Sequence, residues 1–220
     1  MKPRIITIDG PAGAGKTSVS KLLAHRLGCI YVDTGALYRA VAYEISTRNI
    51  DWQDNAVLEK FLSELELELV MEGTSLAVMS SGRDITGFIR TPEISMLASA
   101  CSAKPAVRAA LLDIQRSIAK TNDAVFEGRD MGTVVFPDAQ YKFFLFADLK
   151  IRAKRRFDEM PDKPCDINEI EHQMKQRDEN DSQREAAPLK PACDAVMIDS
   201  SFLSIDQVVD KMLDVIAGQG

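Results

Sequence analysis

The chain has 220 residues, of which 45 % are hydrophobic and 27 % charged, with a net charge of −6. That length and balance suit one soluble enzyme domain with a real buried core. The acidic surplus argues against general affinity for nucleic acid or anionic membrane, and no apolar run approaches the roughly 18 residues of a membrane span.

The first element is Ile5-Ile6-Thr7-Ile8, apolar and β-branched like a buried strand. It starts by residue 4, so no signal peptide is expected and the cytoplasm is the expected compartment. It feeds Gly10-Pro11-Ala12-Gly13-Ala14-Gly15-Lys16-Thr17, which matches G-x-x-x-x-G-K-[ST]. Ser18 to Leu27 then reads as a helix. A strand, a glycine-rich loop and a helix N-terminus in this order form an anion cradle, because backbone N–H groups and the positive end of the helix dipole converge on phosphate oxygens. Gly10 through Ser18 are therefore the candidate ATP-phosphate residues. Lys16 is suited to the β- and γ-phosphates and the Thr17 hydroxyl to Mg²⁺.

Cys29 to Val32 reads as a second strand and about Gly35 to Thr47 as a helix, followed by helical spacing over 54–64. The period then changes to two. Leu65, Leu67 and Leu69 alternate with glutamates, Gly73 marks a turn, Leu76 to Met79 is a second run, and Asp84 to Thr86 a third. Residues 65–87 thus predict a small antiparallel meander. Thr91-Pro92 opens a helix over 92–102, and another fills 105–120. Ala124 to Phe126 and Tyr141 to Phe146 read as buried strands. A basic helix begins near Leu149, a capping box of Asp166 with Glu169 starts a helix to about Asp181, Ala195 to Ile198 is the last strand, and Ser204 with Gln207 caps the final helix. Alternating strands and helices imply a parallel sheet covered on both faces.

Cys29, Cys101, Cys165 and Cys193 form no C-x-x-C pair, and only His25 and His172 accompany them. No zinc site or disulfide framework is expected, and the cysteines read as reduced, mostly buried thiols.

The loop implies a nucleoside triphosphate, and neither N-K-x-D nor L-S-G-G-Q occurs in the chain. That favours a small-molecule kinase, which must hold a second anion near the γ-phosphate and shield it from water. Four arginine-bearing segments could do this. Asp33 to Arg39 follows the second strand, where ligands bind in open α/β sheets. Glu127 to Thr133 follows another strand and holds Arg129, Asp130 and two glycines. Arg152-Ala153-Lys154-Arg155-Arg156 is either a solvated helix face or part of a closing lid. Arg177, Asp181 and Arg184, spaced four and three apart, can share one helical face as a binding set or as a salt-bridge ladder.

The stretches I-T-I-D-G-P-A-G-A-G-K-T, D-T-G-A-L-Y-R, E-G-R-D-M-G-T-V-V-F-P-D-A and R-D…D-x-x-R-x-x-A-P-L, in this order with the 65–87 insert, resemble the bacterial cytidylate kinases over nearly the whole chain. The resemblance implies an α/β P-loop fold in three αβα layers, with a central parallel sheet, a small inserted antiparallel meander and a helical lid. It implies one domain: a core of about 1–35, 105–150 and 190–220, a monophosphate-binding region with the insert at about 36–104, and a lid at about 151–185. Thr34, Tyr38, Arg39, Arg129 and Arg184 would surround the CMP phosphate, Ser99, Arg108 and Asp130 would read cytosine, and Asp181 would bond the sugar. Arg155, Arg156 and Arg177 would close over the transferring phosphoryl, with Lys16 and Arg129 beside them. Two departures stand out: Thr34 replaces a common serine and Glu127 a common aspartate. The implied reaction is ATP + (d)CMP → ADP + (d)CDP with Mg²⁺, carried out by a monomer without nucleic-acid or membrane partners. The rivals are a kinase of the same fold for UMP or another small acceptor, and an ATP-binding regulatory module without turnover.

Overall fold

In the computed structural model, residues 3–72, 75–160 and 166–218 are described; the Gly73 turn, Cys165 and most of the stretch before Asp166 lie outside them. The main sheet is parallel and five-stranded. Its strands are β1 (Ile5–Asp9), β2 (Ile30–Asp33), β6 (Ala124–Glu127), β7 (Tyr141–Phe146) and β8 (Val196–Asp199), in the order β2-β6-β1-β7-β8. The β-branched run at Ile5 to Ile8 takes the central position, paired in register with Ala124 to Glu127 on one side, while Ile6 to Asp9 pair with Tyr141 to Phe144 on the other.

The two sheet faces bury different sets of residues, as the pleat requires. Ile6, Ile8, Val125, Phe143 and Leu145 pack against α1 (Lys16–Leu27) and α8 (Ile205–Gly218). Ile5, Val32, Ala124 and Phe126 pack on the opposite side, with Met131 and Val135 of a single π-helical turn and the flank of α5 (Pro105–Ile118). A second core joins α2 (Thr34–Thr47), α3 (Asn55–Glu64) and the meander of β3 (Leu67–Glu72), β4 (Ser75–Ser80) and β5 (Arg83–Asp84). The meander pairs β3-β4-β5 antiparallel as its period of two predicts, although its third strand is Arg83–Asp84, because Ile85 turns inward to the core. α4 (Pro92–Cys101) packs on α2, and α6 (Leu149–Asp158) on α7 (Ile167–Gln183).

Two local expectations are corrected and one is borne out. Asp166 caps α7 by accepting from the Asn168 amide, while Glu169 accepts instead from Gln173 one turn on, so the box is not reciprocal. Ser204 and Gln207 do form the reciprocal box at the start of α8. Of the three described cysteines, all free thiols, only Cys101 is buried, and Cys193 is exposed.

Candidate active site

The loop after β1 keeps its shape through glycine. A Cβ at Gly10 (φ +147°) would lie 1.9 Å from the Leu145 carbonyl oxygen, so no side chain fits where the chain leaves β1. Gly15 is the left-handed N-cap of α1 and has no side-chain cap, which leaves the first amides of the helix to the loop. Lys16 is buried and donates from Nζ to the Pro11 carbonyl at 2.8 Å. Burial, together with the positive charges of Arg129 and Arg177, lowers its pKa to about 7. Phosphate would restore that charge by giving the ammonium an anionic partner.

Thr17 Oγ1 donates to Glu127 Oε1 at 2.9 Å, and Tyr31 donates from its hydroxyl to Glu127 Oε2 at 2.6 Å. The side chain of Glu127 thus bridges Tyr31 on β2 and Thr17 at the end of the loop. The Thr17–Glu127 pair places hard oxygen donors at the end of the phosphate cradle, a chemistry that fits Mg²⁺ completing its shell with phosphate oxygens and water.

At the opposite end stands a buried network. Arg129 Nε and Ser99 Oγ each donate to the Asp181 carboxylate at 3.0 Å. Asp181 is a buried carboxylate, and burial alone would favour its neutral form; Arg129, Arg177 and Arg184 hold its pKa below the ordinary range. Arg108 pairs directly with Asp130 and lies over the Tyr38 ring, 5.4 Å from its centroid. Arg184 reaches Asp130 at 3.6 Å and donates to Ser102 Oγ at 3.0 Å. Thr34 Oγ1 donates to the Glu127 carbonyl at 2.6 Å. Arg39 is held by Asp33 at 2.7 Å, and Arg90 reaches the same carboxylate oxygen at 3.3 Å.

The third group sits on α6 and α7. Arg155 donates from Nη2 to the Ser200 carbonyl at 2.6 Å, which ties α6 to the segment after β8. Arg156 is half-exposed beside Glu159, at 3.7 Å. Arg177 is half-buried, and its Nε is shut off from solvent and unpartnered among the described residues. Burial and the Arg129 charge bring its pKa down to about 10.

One cleft of about 1240 Å³ is lined by Ala12 to Ser18 and by every site residue expected from the sequence beyond the loop: Thr34, Tyr38, Arg39, Ser99, Arg108, Arg129, Asp130, Arg155, Arg156, Arg177, Asp181 and Arg184. Gly10 and Pro11 do not line it; Gly10 packs against the Leu145 carbonyl and the Pro11 carbonyl accepts from Lys16. Two residues about the site were not singled out from the sequence: Arg90, which lines the cleft, and Asp9, which is buried outside its lining. Arg90 has no periodic signal around it. Asp9 carries a signal, being a charged residue closing an apolar strand directly before Gly10; both of its oxygens accept backbone N–H groups, from Met131 (2.9 Å) and Gly132 (2.8 Å). Arg152, read as part of the basic run, is buried, and the Asp181 set is no simple ladder, since Asp181 is bound across elements to Arg129.

Solved structures share this fold at low identity. An uncharacterised protein from Eubacterium ventriosum aligns with a TM-score of 0.53 at 14% identity, covering 97% of this chain and 98% of that one. A shikimate kinase from Bacteroides thetaiotaomicron aligns with a TM-score of 0.50 at 12% identity over the same shares. In sequence, the chain is 46% identical over 214 residues to a cytidylate kinase of Geobacter sulfurreducens, covering 96% of this chain and 92% of that protein. It is 44% identical over 216 residues to a cytidylate kinase of Caldicellulosiruptor bescii, covering 97% and 96%. The cytidylate kinase family model matches residues 6–218. With the motifs and the match both spanning the chain, this protein belongs to the cytidylate kinase family.

Proposed function

We infer that the chain transfers the γ-phosphoryl group of ATP directly to CMP or dCMP, releasing ADP and CDP or dCDP. The observation that carries this reading is the convergence in one cleft of the Gly10–Thr17 loop and the Ser99, Arg108, Arg129, Asp130 and Asp181 network. A CMP phosphate oxygen, already ionised and needing no general base, attacks the γ-phosphorus as the bond to the β–γ bridging oxygen breaks and the electron pair leaves with ADP. Lys16, Arg129 and Arg177 gather positive charge around that centre, and Arg155 and Arg156 complete it from the helical lid. Thr34, Tyr38, Arg39, Arg129 and Arg184 hold the acceptor phosphate, Ser99, Arg108 and Asp130 read cytosine, and Asp181 bonds the sugar. Bound Mg²⁺ supplies charge neutralisation across the phosphate oxygens, and Thr17 is the residue that would hold it.

The reading includes the division into core (about 1–35, 105–150, 190–220), monophosphate-binding region (about 36–104) and lid (about 151–185). It also includes a monomer at work in the cytoplasm on small-molecule substrates. No described helix is long and apolar enough to cross a membrane.

The test is ADP release with each nucleoside monophosphate in turn. CMP and dCMP should far exceed UMP, AMP and GMP, because a wrong base leaves buried donors and acceptors unpaired at about 1–3 kcal/mol each. Lys16→Ala should lose roughly 10²–10³-fold in turnover while remaining folded. Equal kcat/KM for UMP and CMP would refute the cytosine assignment, and ADP release without an acceptor would indicate a switch instead.

A further inference from the structure

Arg152 lies in the basic run of α6, yet it is buried at 6% exposure. Its guanidinium joins three separate chain segments. Nε donates to the Ala147 carbonyl at the end of β7 (2.9 Å). Nη1 donates to the Ala12 carbonyl in the phosphate loop (3.0 Å) and to Asp178 Oδ2 on α7 (2.7 Å). The other Asp178 oxygen is buried without a hydrogen-bond partner among the described residues, so Arg152 is the tie that holds this carboxylate.

There is no slack around this tie. A Cβ on Gly13 would come within 2.6 Å of Met174 Cε and 3.2 Å of Arg152 Cβ, so the loop backbone rests directly on α6 and α7. Ala12 packs on the small core of Ala153, Ile170 and Met174 between those helices. A packed contact of this kind transmits displacement rather than absorbing it.

Asp178 follows Arg177 in α7 and precedes Asp181 by one helical turn. The helix that Asp178 anchors therefore also carries the Asp181 carboxylate bound to Arg129 and Ser99. We propose that Arg152 and Asp178 form a positioning pair that couples the two ends of the cleft. Phosphate settling in the loop orders the Ala12 peptide, Arg152 passes that order to Asp178, and α7 then sets Arg177 and Asp181 for the acceptor. The coupling is reciprocal, so the acceptor tightens the donor site by the same factor. A planar fork is needed to span the three acceptors, and a lysine point charge cannot do it. The inference rests on reading the cleft as a donor site and an acceptor site.

The experiment measures CMP affinity by calorimetry, with and without a non-hydrolysable ATP analogue plus Mg²⁺, in wild type, Asp178→Asn, Arg152→Lys and Lys154→Ala. In wild type the analogue should tighten CMP by a factor of about 5–150, the usual range of such coupling. In Asp178→Asn and Arg152→Lys that factor should fall to within about two-fold of unity, while the affinity for each nucleotide alone changes far less. Turnover should drop with it, since both substrates no longer set the site together. Lys154 is an exposed neighbour on the same helix, and its alanine variant should keep the full factor. If Arg152→Lys fails to fold, Asp178→Asn decides. A variant with lower thermal stability but unchanged coupling overturns the proposal and leaves the pair a structural clip. Absence of coupling in wild type also overturns it. If wild type binds neither nucleotide, the two-site reading fails first and this inference with it.

Discussion

Asp9 shows how one residue can connect two parts of a site. It closes β1 at the mouth of the phosphate loop, and its two oxygens accept from the amides of Met131 and Gly132, directly after Asp130. The carboxylate thus staples the loop carrying Arg129 and Asp130 to the donor cradle. Burial raises its pKa from 3.8 to about 6, against the pull of those two amides and with a further push from Asp130. A carboxyl whose pKa is higher when folded binds more protons in the folded state across that interval. Its contribution to stability is therefore full below about pH 4 and lost as pH rises through about 6. The gap corresponds to about 3 kcal/mol. Asp9→Asn removes this titration. The wild-type stability advantage over Asp9→Asn, measured by urea unfolding, should shrink by up to about 3 kcal/mol between pH 4 and pH 7.5. A difference constant with pH would mean that burial does not raise the Asp9 pKa above its ordinary value.

At the scale of elements, helix ends follow their local chemistry. Asp54 accepts from the Ala56 and Val57 amides to start α3, Thr91 accepts from Ile94 to start α4, and Ser204 with Gln207 starts α8. Such caps depend on a few consecutive residues, so they are legible without knowing what the helix packs on. Asp54→Ala should cost about 0.5–2 kcal/mol in thermal unfolding. Because α3 contributes nothing to the cleft lining, kcat/KM for CMP should remain as in wild type. A matching loss of activity would place α3 in the path of the site. The basic helix α6 shows where local reading ends. Its charges read alike in sequence, yet Arg152 is buried against Ala12 and Asp178, Arg155 reaches Ser200, and Lys154 is solvated beside Asp158. Helical period assigns faces, but what each face meets is set by elements far away in sequence.

Across the whole molecule, the cleft concentrates positive charge that the protein only partly neutralises. Lys16, with its pKa near 7, and Arg177, with its pKa near 10, record that crowding together with their burial. Nucleotide phosphates relieve the repulsion, and two nucleotides relieve it more than one, so α6 and α7 should hold most tightly over a fully loaded cleft. Amide hydrogen exchange over these helices should slow most with CMP and an ATP analogue together, beyond the sum of the separate effects. Exchange indifferent to ligands would rule out closure. The phosphate loop, the alternation of strands and helices, the antiparallel insert and the segments bearing the site arginines could all be read from the sequence. Each depends on spacing, period or backbone freedom within a dozen or so residues. The tertiary structure alone decided the strand order β2-β6-β1-β7-β8, which brings the ends of β1, β2 and β6 to one cleft. It also decided that Asp181 meets Arg129, that Glu127 meets Thr17 and Tyr31, and that Arg152 faces inward to Asp178. These partners are 26 to 110 residues apart, and no local pattern selects between them. The selection comes from the close-packed core, which leaves these buried charges one geometry in which they are paired.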